Sequence, residues 1–360
     1  MKIGIDISQI VYDTGVSVYT KSLIRALSKI DNKNEYKLFA GSLRRKSDVE
    51  NFLRSIKNKN FKALVYPLPP TFFNFLWNKI HIYSIENFIG ELDVFHSSDW
   101  TQPPTSAKSI TTVHDLTPIF YPEWSYKKII DAHKSRLDWV KKEVDTIIVP
   151  TNATKIDLRS LGFERKNITV IPEAVEPIFK PASSIEIEKI KEKYNIEDFI
   201  LCVGVSPRKN IKRCIKVFNK VKKNYPKLKL IVIGQFHEKI SKVKDVIFTG
   251  HVEKKEMPVL YSGAECLLYP SLYEGFGLPI LEAMACQTPV VTSDRSSMKE
   301  VAGDAAILVD ADSVDDIKKG LIKALMEKSN WIKKGKKRVK DFSWEKTAKL
   351  TFAEYQKLNK

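Results

Sequence analysis

The 360-residue chain is 43% hydrophobic and 29% charged, with a formal net charge of +17, a balance that excludes a disordered tract or a fibrous repeat. It exceeds one ordinary core and fits two domains of roughly 150 to 200 residues each. No apolar run reaches the roughly eighteen residues of a membrane-spanning helix, and four cysteines without a CxxC pair imply neither a zinc site nor a disulfide framework, so a reduced, cytoplasmic compartment is expected.

The opening MKIGIDISQIV has Asp6 inside its apolar stretch and no small-residue cleavage site, so it reads as a first β-strand rather than a secretion signal. VYTKSLIRALSKI has helical spacing, and YKLFAG, DVFHSS, SITTVHD and DTIIVPT read as further strands, with KIIDAHKSRLDWVKKE a second helix. Pro172, Pro177 and Pro181 interrupt regular structure, which places a linker at about residues 172–184. Beyond it FILCVGV, LKLIVIG, VIFTG, CLLYPS, TPVVTS and AAILVD are short apolar runs of the kind that crossover helices bury on both faces. The final FSWEKTAKLTFAEYQKL is a helix with Phe342, Trp344, Ala348, Phe352 and Tyr355 on one face.

The fold class expected is α/β, with two Rossmann-like domains facing each other across a cleft lined by strand carboxyl ends. The bounds are 1–175 and 176–342, with the 343–360 helix packing back toward the first domain.

The stretch YPSLYEGFGLPILEAMACQTPVVTS carries the most chemistry. A strand ends, a loop holds Glu274, Gly275, Phe276 and Gly277, and Pro279 opens a helix with Glu282 in its first turn. Glycines before a helix amino terminus let backbone N–H groups approach a phosphate. Two carboxylates beside an anion site suit a ligand with hydroxyls to donate, hence a sugar. The bland alternative is that Glu282 complements the helix dipole and Glu274 is solvated.

These residues resemble a known family. Two glutamates with seven residues between them, in EGFGLPILE followed by TPVV, look like the EX7E signature of the retaining glycosyltransferases of family 4, which adopt the GT-B fold, and the resemblance runs nearly the whole chain. It implies that Glu282 holds the donor's ribose hydroxyls, that Glu274 contacts hydroxyls of the transferred sugar, and that the backbone of Gly275, Phe276, Gly277 and Leu278 lies against donor sugar and phosphate. In CVGVSPRKNI the resemblance gives Arg208 and Lys209 the diphosphate leaving group, whose growing charge needs cations. In TTVHDLTPIFYPEW it makes His114 face the donor sugar, with Asp115 orienting it, and the phrase is similar to the mannosyltransferase branch. DTGVSVYTKSLIRAL resembles the glycine loop near donor phosphate and acceptor, through Gly15 and Tyr19, with Ser17 where a second glycine is frequent. Gln287 and Ala174 also replace usual glycines. The implied donor is a nucleotide diphosphate hexose, GDP-mannose first; the acceptor is a glycan or a lipid-linked acceptor in cell-envelope polysaccharide synthesis. No cofactor or metal is implied.

Asp310 and Asp312 form a DxD that could chelate a cation, but they precede SVDDIKKGLIKAL, so Asp312 or Ser313 reads as a helix cap. A dehydrogenase would need GxGxxG after its first strand, and one glycine stands there. A nucleotide-sugar epimerase shares the architecture and would need no acceptor. The excess charge points to anionic partners or simply to solvated helix faces; nucleic acid is disfavoured, since no helix-turn-helix, zinc finger or RNP set is present. TFFNFLWNKIHIYSIENF places Phe72, Phe73, Leu76, Trp77, Ile80 and Tyr83 on one apolar helix face. With the basic RRKSDVENFLRSIKNKNFK and WIKKGKKRVK it suggests peripheral docking on an anionic membrane, against packing within its own domain.

Overall fold

A computed structural model describes residues 1–12, 14–235 and 243–360; Asp13, at the start of the glycine-bearing loop, lies outside the described residues. The chain packs as two units, Met1–Glu173 with Ser343–Lys360, and Ala174–Phe342.

The first unit is built on seven parallel strands: β1 (Lys2–Asp6), β2 (Glu35–Gly41), β3 (Phe61–Tyr66), β4 (Val94–Ser97), β5 (Lys108–Thr112), β6 (Thr146–Val149) and β7 (Asn167–Val170). Their order is β3-β2-β1-β4-β5-β6-β7. The second unit has six parallel strands: β8 (Phe199–Val203), β9 (Lys229–Ile233), β10 (Val246–Gly250), β11 (Cys266–Tyr269), β12 (Val290–Ser293) and β13 (Ile307–Val309), in the order β10-β9-β8-β11-β12-β13. The apolar runs read from the sequence are all strands. Two more appear, β3 and β7, and both are sheet edges.

In each sheet the strand order reverses beside the first strand, between β1 and β4 and between β8 and β11. Loops leaving those carboxyl ends diverge and open a crevice, the usual ligand position in open α/β sheets. The first unit therefore offers the loops after Asp6 and Ser97, and the second those after Val203 and Tyr269.

Two readings of helix faces are corrected. The Phe72–Tyr83 stretch is not one apolar face: Phe73, Leu76 and Trp77 are buried while Phe72, Ile80 and Tyr83 are exposed. The backbone winds as a π-helix over Asn74–Ile80 and stops at His81 in left-handed conformation (φ 59°), so positions three and four apart no longer share a side. The terminal helix spans Trp344–Leu358, opened by the Ser343 hydroxyl accepting from the Lys346 amide at 3.2 Å. Phe342 lies outside it and packs edge-on against Phe276 of the second unit (5.9 Å, 77°). The remaining face enters the first unit's core, where Ala348 and Tyr355 are buried among Ile3, Ile5 and Leu23.

Candidate functional site

In the second unit β8 runs into Gly204–Asn210 and β11 into Pro270–Gly277, the two loops at the strand reversal. A short 3₁₀ turn at Pro207–Lys209 presents both cations. Asn210, left-handed at φ 62° and buried, locks this turn by donating to the carbonyls of Pro270 (3.1 Å) and Ala311 (2.8 Å). The facing loop is stitched to it, since the Leu272 amide and the Ser271 hydroxyl both donate to the Arg208 carbonyl, at 2.8 and 3.0 Å.

Glu274 sits at the centre of this arrangement. Its buried carboxylate accepts from Lys209 Nζ at 2.6 Å, Ser271 Oγ at 2.6 Å and Tyr269 Oη at 2.7 Å, and from Arg208 Nη1. Its carbonyl accepts from the Ser296 and Ser297 hydroxyls at 3.0 and 2.8 Å. Two cations thus share one carboxylate and leave a net positive site. The Arg208 guanidinium uses Nη1 on Glu274 and on the Tyr273 carbonyl (3.2 Å); it carries five N–H donors in all.

Gly277 (φ 98°) caps the Leu278–Ala285 helix without any side-chain cap, a backbone angle that favours glycine. Phe276 turns its ring into the core, so at this turn backbone rather than side chain faces outward. The helix opens at Leu278, with Pro279 in its first two positions and no acid in its first turn. Glu282 consequently lies past the first turn, which corrects its placement from sequence and weakens the dipole explanation. The half-buried Glu282 accepts from the Tyr261 hydroxyl at 2.6 Å. Burial pushes its carboxyl up to about 7; Glu176 adds to the rise, and the Tyr261 hydrogen bond, Lys254 and Lys209 oppose it.

In the first unit His114 follows β5, its ring edge-on to Tyr19 with centroids 4.5 Å apart. Tyr19 belongs to the Gly15–Ile30 helix, so the glycine loop and the histidine meet there. Gly15 is that helix's first residue, behind the Thr14 cap, and a Cβ on it would meet nothing within 4 Å. His114 Nδ1 is 2.9 Å from the buried carboxylate of Glu173. Burial alone would lower the imidazole's proton affinity, but the hydrogen bond and charge of Glu173, with Asp99 and Asp115 farther off, outweigh it and raise the pKa. The orienting carboxylate is therefore Glu173; that of Asp115 accepts from the Thr117 amide at 2.9 Å. Beneath them His96 links the Tyr355 hydroxyl (2.7 Å) to Thr112 Oγ1 (2.8 Å), and burial drives its pKa down to about 3, so it is neutral.

Sequence reasoning missed Glu173, Tyr261, Tyr269 and Asn210. A lone carboxylate in the apolar ITVIPEAV was the available signal for Glu173; the tyrosines in apolar runs carried none. Asp310 and Asp312 both accept from Arg295 Nη2, at 2.8 and 2.6 Å, and Arg213 lies 3.3 Å from Asp312. The cap is Ser313, whose hydroxyl accepts from the Asp316 amide at 3.1 Å. Among the described residues no cluster of three metal-ligating side chains occurs, and no helix is long and apolar enough to cross a membrane.

Residues 14–178 match the family model Glycosyltransferase Family 4, and residues 183–338 match Glycosyl transferases group 1. The O-antigen chain mannosyltransferase B of Escherichia coli is 27% identical over 373 aligned positions, covering 96% of each chain. The O-antigen chain mannosyltransferase RfbU of Salmonella typhimurium is 32% identical over 219 positions, 58% of each chain. Sucrose-phosphate synthase from Thermosynechococcus elongatus superposes with a TM-score of 0.74 at 18% identity over 99% of each chain. Anabaena HepE in complex with UDP and glucose gives 0.69 at 15%, over 99% of this chain and 100% of that one. At such identities the likenesses show the fold: two parallel-sheet units of the GT-B kind.

Proposed function

Since the chain belongs to the family-4 retaining glycosyltransferases and so transfers a sugar from a nucleotide sugar, we propose that it moves mannose from GDP-mannose to a hydroxyl of a glycan or lipid-linked acceptor. The observation that carries this reading is the Arg208–Glu274–Lys209 cluster at the β8/β11 reversal, on the loop that leads into the helix carrying Glu282. Mannose is supported by the named functions of the two O-antigen relatives and by the HDLTP phrase that ends at Pro118.

In the proposed reaction the bond from sugar C1 to the diphosphate oxygen breaks, and the bonding pair leaves with the nucleotide diphosphate. A bond from C1 to the acceptor oxygen forms on the same face, and the acceptor's proton passes to the departing phosphate. Arg208 and Lys209 stabilise the charge growing on that phosphate. Glu274 holds both cations in place and offers the second lone pair of Oε2 to a sugar hydroxyl. Glu282 accepts from the ribose diol. The backbone of Gly275, Phe276, Gly277 and Leu278 lies along sugar and phosphate, and Gly15 leaves the first unit's loop open to the donor. His114, held by Glu173, donates to the transferred hexose, with Asp115 fixing the turn behind it.

Thermal shift against a panel of nucleotide sugars tests the donor. A ligand at 100 times its dissociation constant adds about 2.7 kcal/mol to stability, so GDP-mannose is expected to stabilise most. Turnover should also survive EDTA; stabilisation by UDP-sugars alone, or a strict demand for a divalent cation, would overturn the corresponding part of the proposal.

A further inference from the structure

A cavity of about 20 Å³ lies beside His114 in the first unit, between the Gly15–Ile30 helix and the ends of β1, β4 and β5, with Gln9, Tyr19, His96, Thr112 and His114 among its walls. That is room for one water molecule, which needs polar partners to stay. The hydrogens of the surrounding groups supply them.

His96 is buried and neutral, so its ring carries a single N–H. Its Nδ1 lies 2.7 Å from the Tyr355 hydroxyl and its Nε2 2.8 Å from Thr112 Oγ1, which is in turn 3.2 Å from the Tyr19 hydroxyl. Tyr355 is fully buried, and among the described residues its hydroxyl has no other hydrogen-bond partner. A buried hydroxyl that leaves its hydrogen unbonded is costly. Tyr355 therefore donates to Nδ1, and the ring hydrogen sits on Nε2 and bonds to Thr112. The Thr112 and Tyr19 hydroxyls then have two hydrogens for the one contact between them. One hydrogen is left over, on a residue that lines the cavity. Gln9 supplies the complement: its Nε2 donates to the Asp6 carbonyl (3.4 Å) and to Thr20 Oγ1 (3.3 Å), while its buried Oε1 has no protein partner. A water between them accepts the one hydrogen and donates to the other oxygen.

The chain ends against the histidine. Glu173 holds His114 by Nδ1 at 2.9 Å, and the Tyr19 ring, edge-on with centroids 4.5 Å apart, limits the tilt of the imidazole and hence the direction of its Nε2. Trp344 of the terminal helix packs on Tyr19 as well (5.8 Å, 67°). With its ring flanked and its hydroxyl bonded, Tyr19 cannot shift without breaking the chain.

We infer that Tyr19 is a positioning residue for transfer: a one-way hydrogen-bond chain from Tyr355 through His96 and Thr112, closed by one water against Gln9, holds it against His114. The inference rests on the role proposed above for His114.

Imidazole nitrogen NMR on the whole isotope-labelled protein reads the direction of the chain. His96 is expected with its hydrogen on Nε2, and a hydrogen on Nδ1 would overturn the inference. The functional arm measures hydrolysis of GDP-mannose, in which water takes the place of the acceptor and mannose and GDP are released. Thr112→Val keeps the side chain's shape and removes the hydroxyl. It is expected to lower kcat roughly tenfold while affinity for GDP stays within about twofold of the unaltered protein, and Thr112→Ser should recover most of the loss. Tyr19→Phe, which keeps the ring and removes one hydroxyl, should show the same split and carries the test if the valine variant does not fold. Unchanged kcat, equal losses in kcat and GDP affinity, or a serine variant no better than the valine one would each overturn the inference. Failure of the glycosyltransferase reading would look different: the unaltered protein would release no GDP from GDP-mannose, while the His96 hydrogen would still report the chain.

Discussion

Glu282 is a carboxyl whose proton is held by its surroundings nearly to neutrality, because burial disfavours the charged form and one tyrosine hydroxyl compensates only in part. Ribose hydroxyls donate best to the ionised form, so affinity for nucleotide diphosphate should rise with pH up to about 7 and level off above it. In Glu282→Gln that slope should vanish, with a loss at high pH of about 1.5–3 kcal/mol, the worth of a hydrogen bond to a charged group. Calorimetric titration between pH 5.5 and 8.5 (about 6 and 8 are the informative points) checks it, and an unchanged slope in the variant would remove Glu282 from the ribose. Linkage to folding runs the opposite way. The folded carboxyl keeps its proton from the ordinary value of 4.5 up to about 7, so the native state binds more protons than the unfolded chain and stability falls as pH rises through that window. Arg208 and Lys209 differ from Glu282 in being paired already, to Glu274; a diphosphate therefore meets cations that are held in place and only partly neutralised.

At the scale of elements, the helix carrying Glu282 ends at Cys286, and the chain then turns through Gln287 at φ 62°. A left-handed position after a helix suits glycine; a side chain there costs roughly 1–2 kcal/mol, offset by the greater freedom glycine loses on folding, roughly 0.5–1 kcal/mol. Gln287→Gly should therefore stabilise the second unit by about 0.5–1 kcal/mol, a rise in its Tm of about 1–4 °C. A calorimetric scan that shows no rise, or a fall, would mean that Gln287 makes compensating contacts. The same elements show what could be read from sequence. Central strands such as FILCV and KLIVI are buried on both faces, so their composition announces them. The edges β3 (FKALVY) and β7 (NITV) are only partly buried and carry Lys62, Asn167 and Thr169, so apolar continuity does not flag them. The two-glutamate loop was legible through fixed spacing on one short segment. Glu173 was not, because its relation to His114 is made by the pairing of β5, β6 and β7 across 59 residues of chain. The π-wound Asn74–Ile80 stretch defeated helical periodicity because its period is not 3.6.

At the scale of the molecule, the terminal helix supplies part of the first unit's interior. Tyr355 is buried and bonded to His96, Ala348 is buried, and Thr347 donates to the Pro172 carbonyl at 2.7 Å. A large buried aromatic cut back to alanine costs about 3–5 kcal/mol, so a chain ending at Phe342 should lose more than that from the first unit and little from the second. Hydrogen exchange resolves this: protection should drop in β1 and β4 and persist in β8 to β13, and undiminished protection in β1 would contradict it. The return of the chain has a further consequence for synthesis. Because the second unit is inserted within the first, it is fully translated while the first still lacks its closing helix. During elongation the nascent chain carries an unfinished apolar face, which is covered only once residues 343–360 have followed. A ribosome that stops after Phe342 releases a chain whose second unit is whole and whose first unit is open to chaperones and proteases.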